Sequence, residues 1–116
     1  MVVGNCIFCE IRSDQKLFEN DYAFAIADKY PITRGHTLVI PKRHFVDFFE
    51  IRKEERDAIM DLLIQRKKQL LEGDSYIEGF NVGVNIGKAA AQAVFHCHIH
   101  LIPRRIEETP NWNGRS

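Results

Sequence analysis

A chain of 116 residues with 45% hydrophobic side chains has material for one compact core and too little for two independent ones. Sixteen basic residues offset sixteen acidic ones, which excludes a general affinity for nucleic-acid polymers or anionic membrane surfaces; an anionic ligand has to be caught by local groups. No stretch reaches the roughly 20 apolar residues of a membrane span, and the start MVVGNCIFCE has neither a basic n-region nor a long apolar h-region. A cytoplasmic setting is expected. Three cysteines, two of them spaced as Cys6-x-x-Cys9, then favour metal or redox chemistry over a disulfide framework, with zinc the candidate metal.

In chain order, Cys6 to Ile11 reads as a short knuckle, and LFEN and YAFAIA as two strands around an Asn20-Asp21 turn. DKYPITRG, with Pro31 and Gly35, is a loop, and HTLVIP a third strand ending at Pro41. Ile59, Leu62, Leu63 and Leu70 recur at helical spacing and predict one long helix over 53–72, stopped by Gly73, although Arg52 is a poor N-cap. GFNVGVNIG alternates as a fourth strand, KAAAQA turns the chain, and VFHCHIHLIP is the fifth. The order β-β-β-α-β-β predicts an α+β domain over 1–105, with five strands in one antiparallel sheet and the helix on one face. An irregular tail over 106–116 carries the only tryptophan, Trp112.

Alternate residues of a strand share a face, so His96, His98 and His100 project together, about 7 Å apart, opposite Cys97, Ile99 and Leu101. Such a row can bind a metal or hold a phosphate. The other two of the five histidines, His36 and His44, bracket the third strand, so pairing that strand with the fifth brings all five together.

GHTLVIPKRH, NVGVNIG and QAVFHCHIHLIPR together resemble the histidine triad family of nucleotide hydrolases and transferases, whose signature alternates histidine and apolar residues; the likeness runs from Cys6 to about Arg104. The resemblance implies an antiparallel sheet continued across a homodimer, and His98 as the nucleophile on a nucleotide α-phosphate. A neutral imidazole suits this if one nitrogen is free and the other N–H is held by an acceptor. It further implies His100 at the phosphate or leaving group and His36 completing the catalytic set. Phe8, Ile11 and Ile26 would lie against the base, Asp28 at the ribose hydroxyls, Asn85 near the sugar and phosphate, and Gln92 at the phosphate chain. Two cysteines, the histidine after the VIPK strand and the first triad histidine make Cys6, Cys9, His44 and His96 the ligands of a structural zinc.

The loop Ala90-Ala91-Gln92-Ala93 departs from the family pattern of glycine and a hydroxyl residue around the glutamine. Ala93 has no hydroxyl, and a positive φ at Ala91 would cost roughly 1–2 kcal/mol; the backbone N–H groups of Ala91 and Ala93 remain as phosphate donors. HIHLIPR resembles polyphosphate-hydrolysing members more than phosphoramidases, so dinucleoside polyphosphates are the expected substrates, with nucleoside phosphoramidates the alternative. A hydrolase with catalytic metal on His96 and His98, and a non-catalytic nucleotide-binding module, are the competing classes.

Overall fold

The computed structural model describes residues 4–106; Trp112 and most of the predicted tail lie outside them. Five strands, β1 (Phe18–Glu19), β2 (Ala23–Ala27), β3 (Thr37–Pro41), β4 (Ile77–Gly83) and β5 (Ile99–Arg105), form one sheet in the order β1-β2-β3-β5-β4, every pair antiparallel. One long helix, α1 (Lys53–Gly73), crosses the sheet. This is the expected α+β architecture.

The sheet is apolar on both faces because its strands alternate two buried sets. Ala23, Ala25, Val39 and Ile99 point toward α1, where they meet Ala58, Ile59 and Leu62 together with Phe45 and Cys97. Phe24, Ile26, Leu38 and Ile40 point the other way and are covered by the N-terminal knuckle through Cys6 and Phe8. The knuckle therefore roofs the face that carries the triad histidines.

The buried stripe of α1 contains the expected Ile59 and Leu62 and starts one turn earlier, with Glu55 and Ala58. Arg52 supplies no side-chain cap. Its backbone N–H instead donates to Glu55 Oε1 at 2.9 Å, while Arg43 donates to the same carboxylate from Nε and Nη2, both at 2.8 Å. Burial raises the Glu55 carboxyl, but these bonds outweigh it and hold it below its ordinary value; the same pairing lifts Arg43.

Two strand boundaries differ from expectation. β4 starts at Ile77 and stops at Gly83, so the alternating VNIG that follows has no ladder. β5 starts at Ile99, so His96 and His98 precede the strand instead of lying in it. The ladder between β4 and β5 ends at Gly83 opposite His100, and upstream of it Cys97 N–H donates to Phe45 O at 2.7 Å, a loop carbonyl beyond β3.

Candidate active site and metal centre

The antiparallel register of β3 with β5 sets Leu38 opposite His100 and Val39 opposite Ile99. It carries His36, just before β3, to His100, and His44, just after β3, to His96. The ring centroids of His36 and His100 are 5.1 Å apart and those of His44 and His96 4.9 Å. All five imidazoles converge as expected, in two groups joined by Phe8, whose ring stands edge-on to His96 at 6.0 Å and His98 at 5.1 Å.

The first group is Cys6, Cys9, His44 and His96, whose ligand atoms all lie within 4.8 Å of one another. Sγ of Cys6 is 3.4 Å from His96 Nδ1, Sγ of Cys9 is 3.3 Å from His44 Nδ1 and 3.6 Å from His96 Nδ1, and the two Nδ1 atoms are 3.2 Å apart. A tetrahedral zinc with Zn–S of about 2.3 Å and Zn–N of about 2.0–2.1 Å has S···N edges of roughly 3.5 Å and an N···N edge of roughly 3.3 Å. The separations match those edges. His96 Nε2–H donates to Pro41 O at 2.8 Å, which leaves the Nδ1 lone pair facing the other three ligands, the usual outer bond of a metal-binding imidazole. Burial holds His96 below its ordinary pKa, hence neutral and able to ligate.

The second group contains His36, His98, His100 and Asp28. His98 Nδ1–H donates to His96 O at 2.8 Å, so Nε2 keeps its lone pair. Ile32 N–H donates to His36 Nδ1 at 3.0 Å, which puts the proton on His36 Nε2; this atom is 2.9 Å from His100 Nδ1 and 3.3 Å from Asp28 Oδ2. His100 therefore accepts at Nδ1 and carries its proton on Nε2, the one buried side-chain nitrogen or oxygen without a partner among the described residues. Burial lowers the pKa of all three histidines; for His100, where the adjacent His98 and His36 also compete for a proton, it falls to about 4. The site thus holds a neutral imidazole nitrogen with its lone pair unused beside an unsatisfied donor.

A cleft of about 850 Å³ opens beside this group, within the range of small-molecule sites. Phe8, Ile11 and Ile26 form its apolar wall, and Asp28, Ala93, His98 and His100 also line it. Asp28 Oδ1 accepts from Tyr30 N–H at 2.8 Å. A family model, the HIT domain, matches residues 10–107.

The chain belongs to the HIT family.

Among HIT relatives, an uncharacterized HIT-like protein of Mycoplasma genitalium is 39% identical over 105 residues, 87% of this chain and 74% of that one. The adenylylsulfatase HINT3 of Arabidopsis thaliana is 34% identical over 106 residues, 88% of this chain and 53% of that protein. The crystal structure of a Zn-bound histidine triad family protein from Mycobacterium smegmatis superposes with a TM-score of 0.77 at 36% identity, covering 97% of this chain and 80% of that one.

Three sequence candidates stand away from the HIT cleft wall. Gln92 is buried, with Nε2 donating to Val46 O at 3.0 Å and Val94 O at 3.2 Å and Oε1 accepting from Gly87 N–H at 2.9 Å, so its amide braces the loop. Asn85 Nδ2 donates to Ala91 O at 3.3 Å. Ala91 has φ 68° and ψ 29°, the left-handed geometry that makes a side chain costly, and its N–H donates to Lys88 O at 3.0 Å instead of facing the cleft. Of the proposed backbone donors only Ala93 borders the cleft. The sequence reading missed Arg43 and Glu55; the signal available was a carboxylate at the third position of the helix, four residues before Ile59 on the same face.

Proposed function

We propose that this HIT protein is a nucleotide hydrolase in which His98 Nε2 attacks the α-phosphate of a dinucleoside polyphosphate. An N–P bond forms as the P–O bond to the departing nucleotide breaks, and water then cleaves the nucleotidyl-histidine. The carrying observation is the tautomer pattern: His98 Nε2 is left as a lone pair and His100 Nε2 as an unpartnered donor in one cleft. The donor is suited to an oxygen on which charge builds during attack. Phe8, Ile11 and Ile26 would take the base, and Asp28, whose Oδ2 faces His36, would accept from ribose hydroxyls. His36 would hold the proton on its Nε2 toward His100 and Asp28.

Cys6, Cys9, His44 and His96 would hold a structural zinc. All four protein ligands are present, leaving no open position for substrate, so the metal would supply cross-linking of the knuckle to the triad. The three cysteines form no disulfide, as a cytoplasmic setting would keep them. No helix among the described residues is long and apolar enough to cross a membrane. A homodimer formed along β4 is supported by its position at the sheet edge and by the apolar groove that Met60, Leu63, Ile64, Phe80 and Val82 line between α1 and that strand.

A second reading keeps the same nucleophile and changes the leaving group to a small one, an amine or sulfate. The adenylylsulfatase relative favours it. Mass spectrometry of turnover mixtures with diadenosine tetraphosphate, adenosine phosphoramidate and adenylylsulfate separates the readings by product and traps the adduct. His98→Ala should lose at least about 10⁴-fold in kcat while still binding nucleotide. Full turnover by that variant, or steady turnover with no histidine adduct at any time, refutes the mechanism.

A further inference from the structure

We infer that the ion pair between half-buried Arg43 and buried Glu55 is a positioning element for both halves of the site, setting the metal ligand His44 directly and the His96–His98 segment through the Phe45 carbonyl. This rests on the reading of a zinc site beside a nucleophilic His98.

His44 lies in an irregular strap between the end of β3 at Pro41 and a short 3₁₀ turn that starts at Phe48, so no strand ladder fixes it. The strap is laced by discrete tethers. Pro41 O accepts from His96 Nε2 at 2.8 Å, Lys42 N–H donates to Tyr22 O at 2.8 Å, Phe45 O accepts from Cys97 N–H at 2.7 Å, and Val46 O accepts from Gln92 at 3.0 Å. Each of these holds backbone to the sheet or to the loop before the triad. The tether to α1 is Arg43. Its fork takes both oxygens of Glu55, a residue only 3% exposed, its Nη2 reaches Glu50 O at 3.1 Å, and its guanidinium lies 4.2 Å over the Phe45 ring.

Both neighbours of His44 are thereby fixed, Arg43 by the bidentate pair and Phe45 by the stack and by Cys97 N–H. Cys97 is flanked by His96 and His98, and His96 O is the acceptor that orients the nucleophile. Orientation thus passes from the first turn of α1, through Arg43 and Phe45, to the zinc ligands and to His98. An ion pair made on a buried carboxylate adds little net stability over a well-packed apolar replacement, whereas a planar fork fixes direction, so its value here is geometric. Metal and catalytic groups tolerate displacement of only about 0.5 Å, which is the scale on which such an outer bond acts.

The test uses the full chain with Arg43→Met, which keeps an unbranched stem and removes the fork, Arg43→Lys, Glu55→Gln, and Ile77→Val as a control for lost stability at the far end of the sheet. Zinc affinity is read by competition with a chromogenic chelator, ligand geometry by the visible bands of the Co²⁺-loaded protein, and turnover as separate kcat and KM on diadenosine tetraphosphate. Arg43→Met should lose at least about tenfold in zinc affinity and in kcat, with KM within about twofold and shifted Co²⁺ bands; Glu55→Gln and Arg43→Lys should fall between it and wild type. Ile77→Val should move none of these, whatever its melting temperature. If Arg43→Met fails to fold, Glu55→Gln carries the test by the same criteria. Wild-type zinc affinity, spectrum and kcat in the Arg43 and Glu55 variants, or losses no larger than those of Ile77→Val, overturn the positioning role while leaving the site reading intact. A wild type that binds no zinc and forms no adduct overturns the site reading, and the positioning role with it.

Discussion

Replacing Ala91 with glycine should stabilise this protein, although glycine usually weakens a fold. Ala91 stands at φ 68° and ψ 29°, where its Cβ crowds the carbonyl at a cost of roughly 1–2 kcal/mol, and glycine has no such penalty. Against that gain stands the greater freedom of glycine in the unfolded chain, about 0.4–1 kcal/mol. The net is a stabilisation of roughly 0.5–1 kcal/mol, or about 2–4 °C in melting temperature for a chain of this size. The neighbouring Ala90→Gly provides the opposite sign, because Ala90 lies within the right-handed 3₁₀ turn Lys88–Ala90 and gains no relief. Urea unfolding at constant slope, with calorimetry of both variants, measures the pair. An Ala91→Gly protein no more stable than Ala90→Gly would show that the loop stores no strain at this position.

Stripping zinc should lower the melting temperature, the stability lost growing with the free zinc used in the reference sample and reaching about 4 kcal/mol at a thousandfold excess over Kd. At a temperature where the stripped protein stays folded by circular dichroism, it should keep measurable turnover; immediate loss of all turnover in folded protein would make the metal catalytic. Acid should weaken the fold through its buried imidazoles. The His100 pKa falls from the ordinary 6.5 to about 4, so the unfolded chain takes up its proton first: stability is full above 6.5, falls through the window from 6.5 to 4 by on the order of 3 kcal/mol, and levels off below it. Nitrogen-detected NMR should show the His100 ring still neutral at pH 5, and a ring half-protonated near 6.5 would contradict its burial.

Local pattern made most of the frame legible. The alternation of YAFAIA and HTLVIP places Phe24, Ile26, Leu38 and Ile40 on one face and Ala23, Ala25 and Val39 on the other. The brackets His36 and His44 are informative because antiparallel pairing of β3 and β5 converts sequence ends into spatial neighbours. What pattern could not supply was where pairing stops. VNIG alternates as well as FNVG does, yet β4 ends at Gly83, opposite His100. Gln92 illustrates the same limit: its residue type suits a phosphate contact, but three nearby backbone groups already satisfy its amide. Glu55 was hidden because a carboxylate in the first turn of a helix ordinarily faces water, and only the approach of Arg43 from a segment beyond β3 makes its burial tolerable.

The β3–β5 register has a consequence for how this protein can vary. Side chains alternate with a period of two, so sliding β5 by one residue against β3 would turn His100 toward α1 and Ile99 toward the cleft. The same slip would move His96 out of reach of His44 and Pro41. A single-residue slip in this pairing therefore breaks up the Cys6–Cys9–His44–His96 cluster and the His36–His100 pair in one event, whereas replacing one side chain can alter either alone.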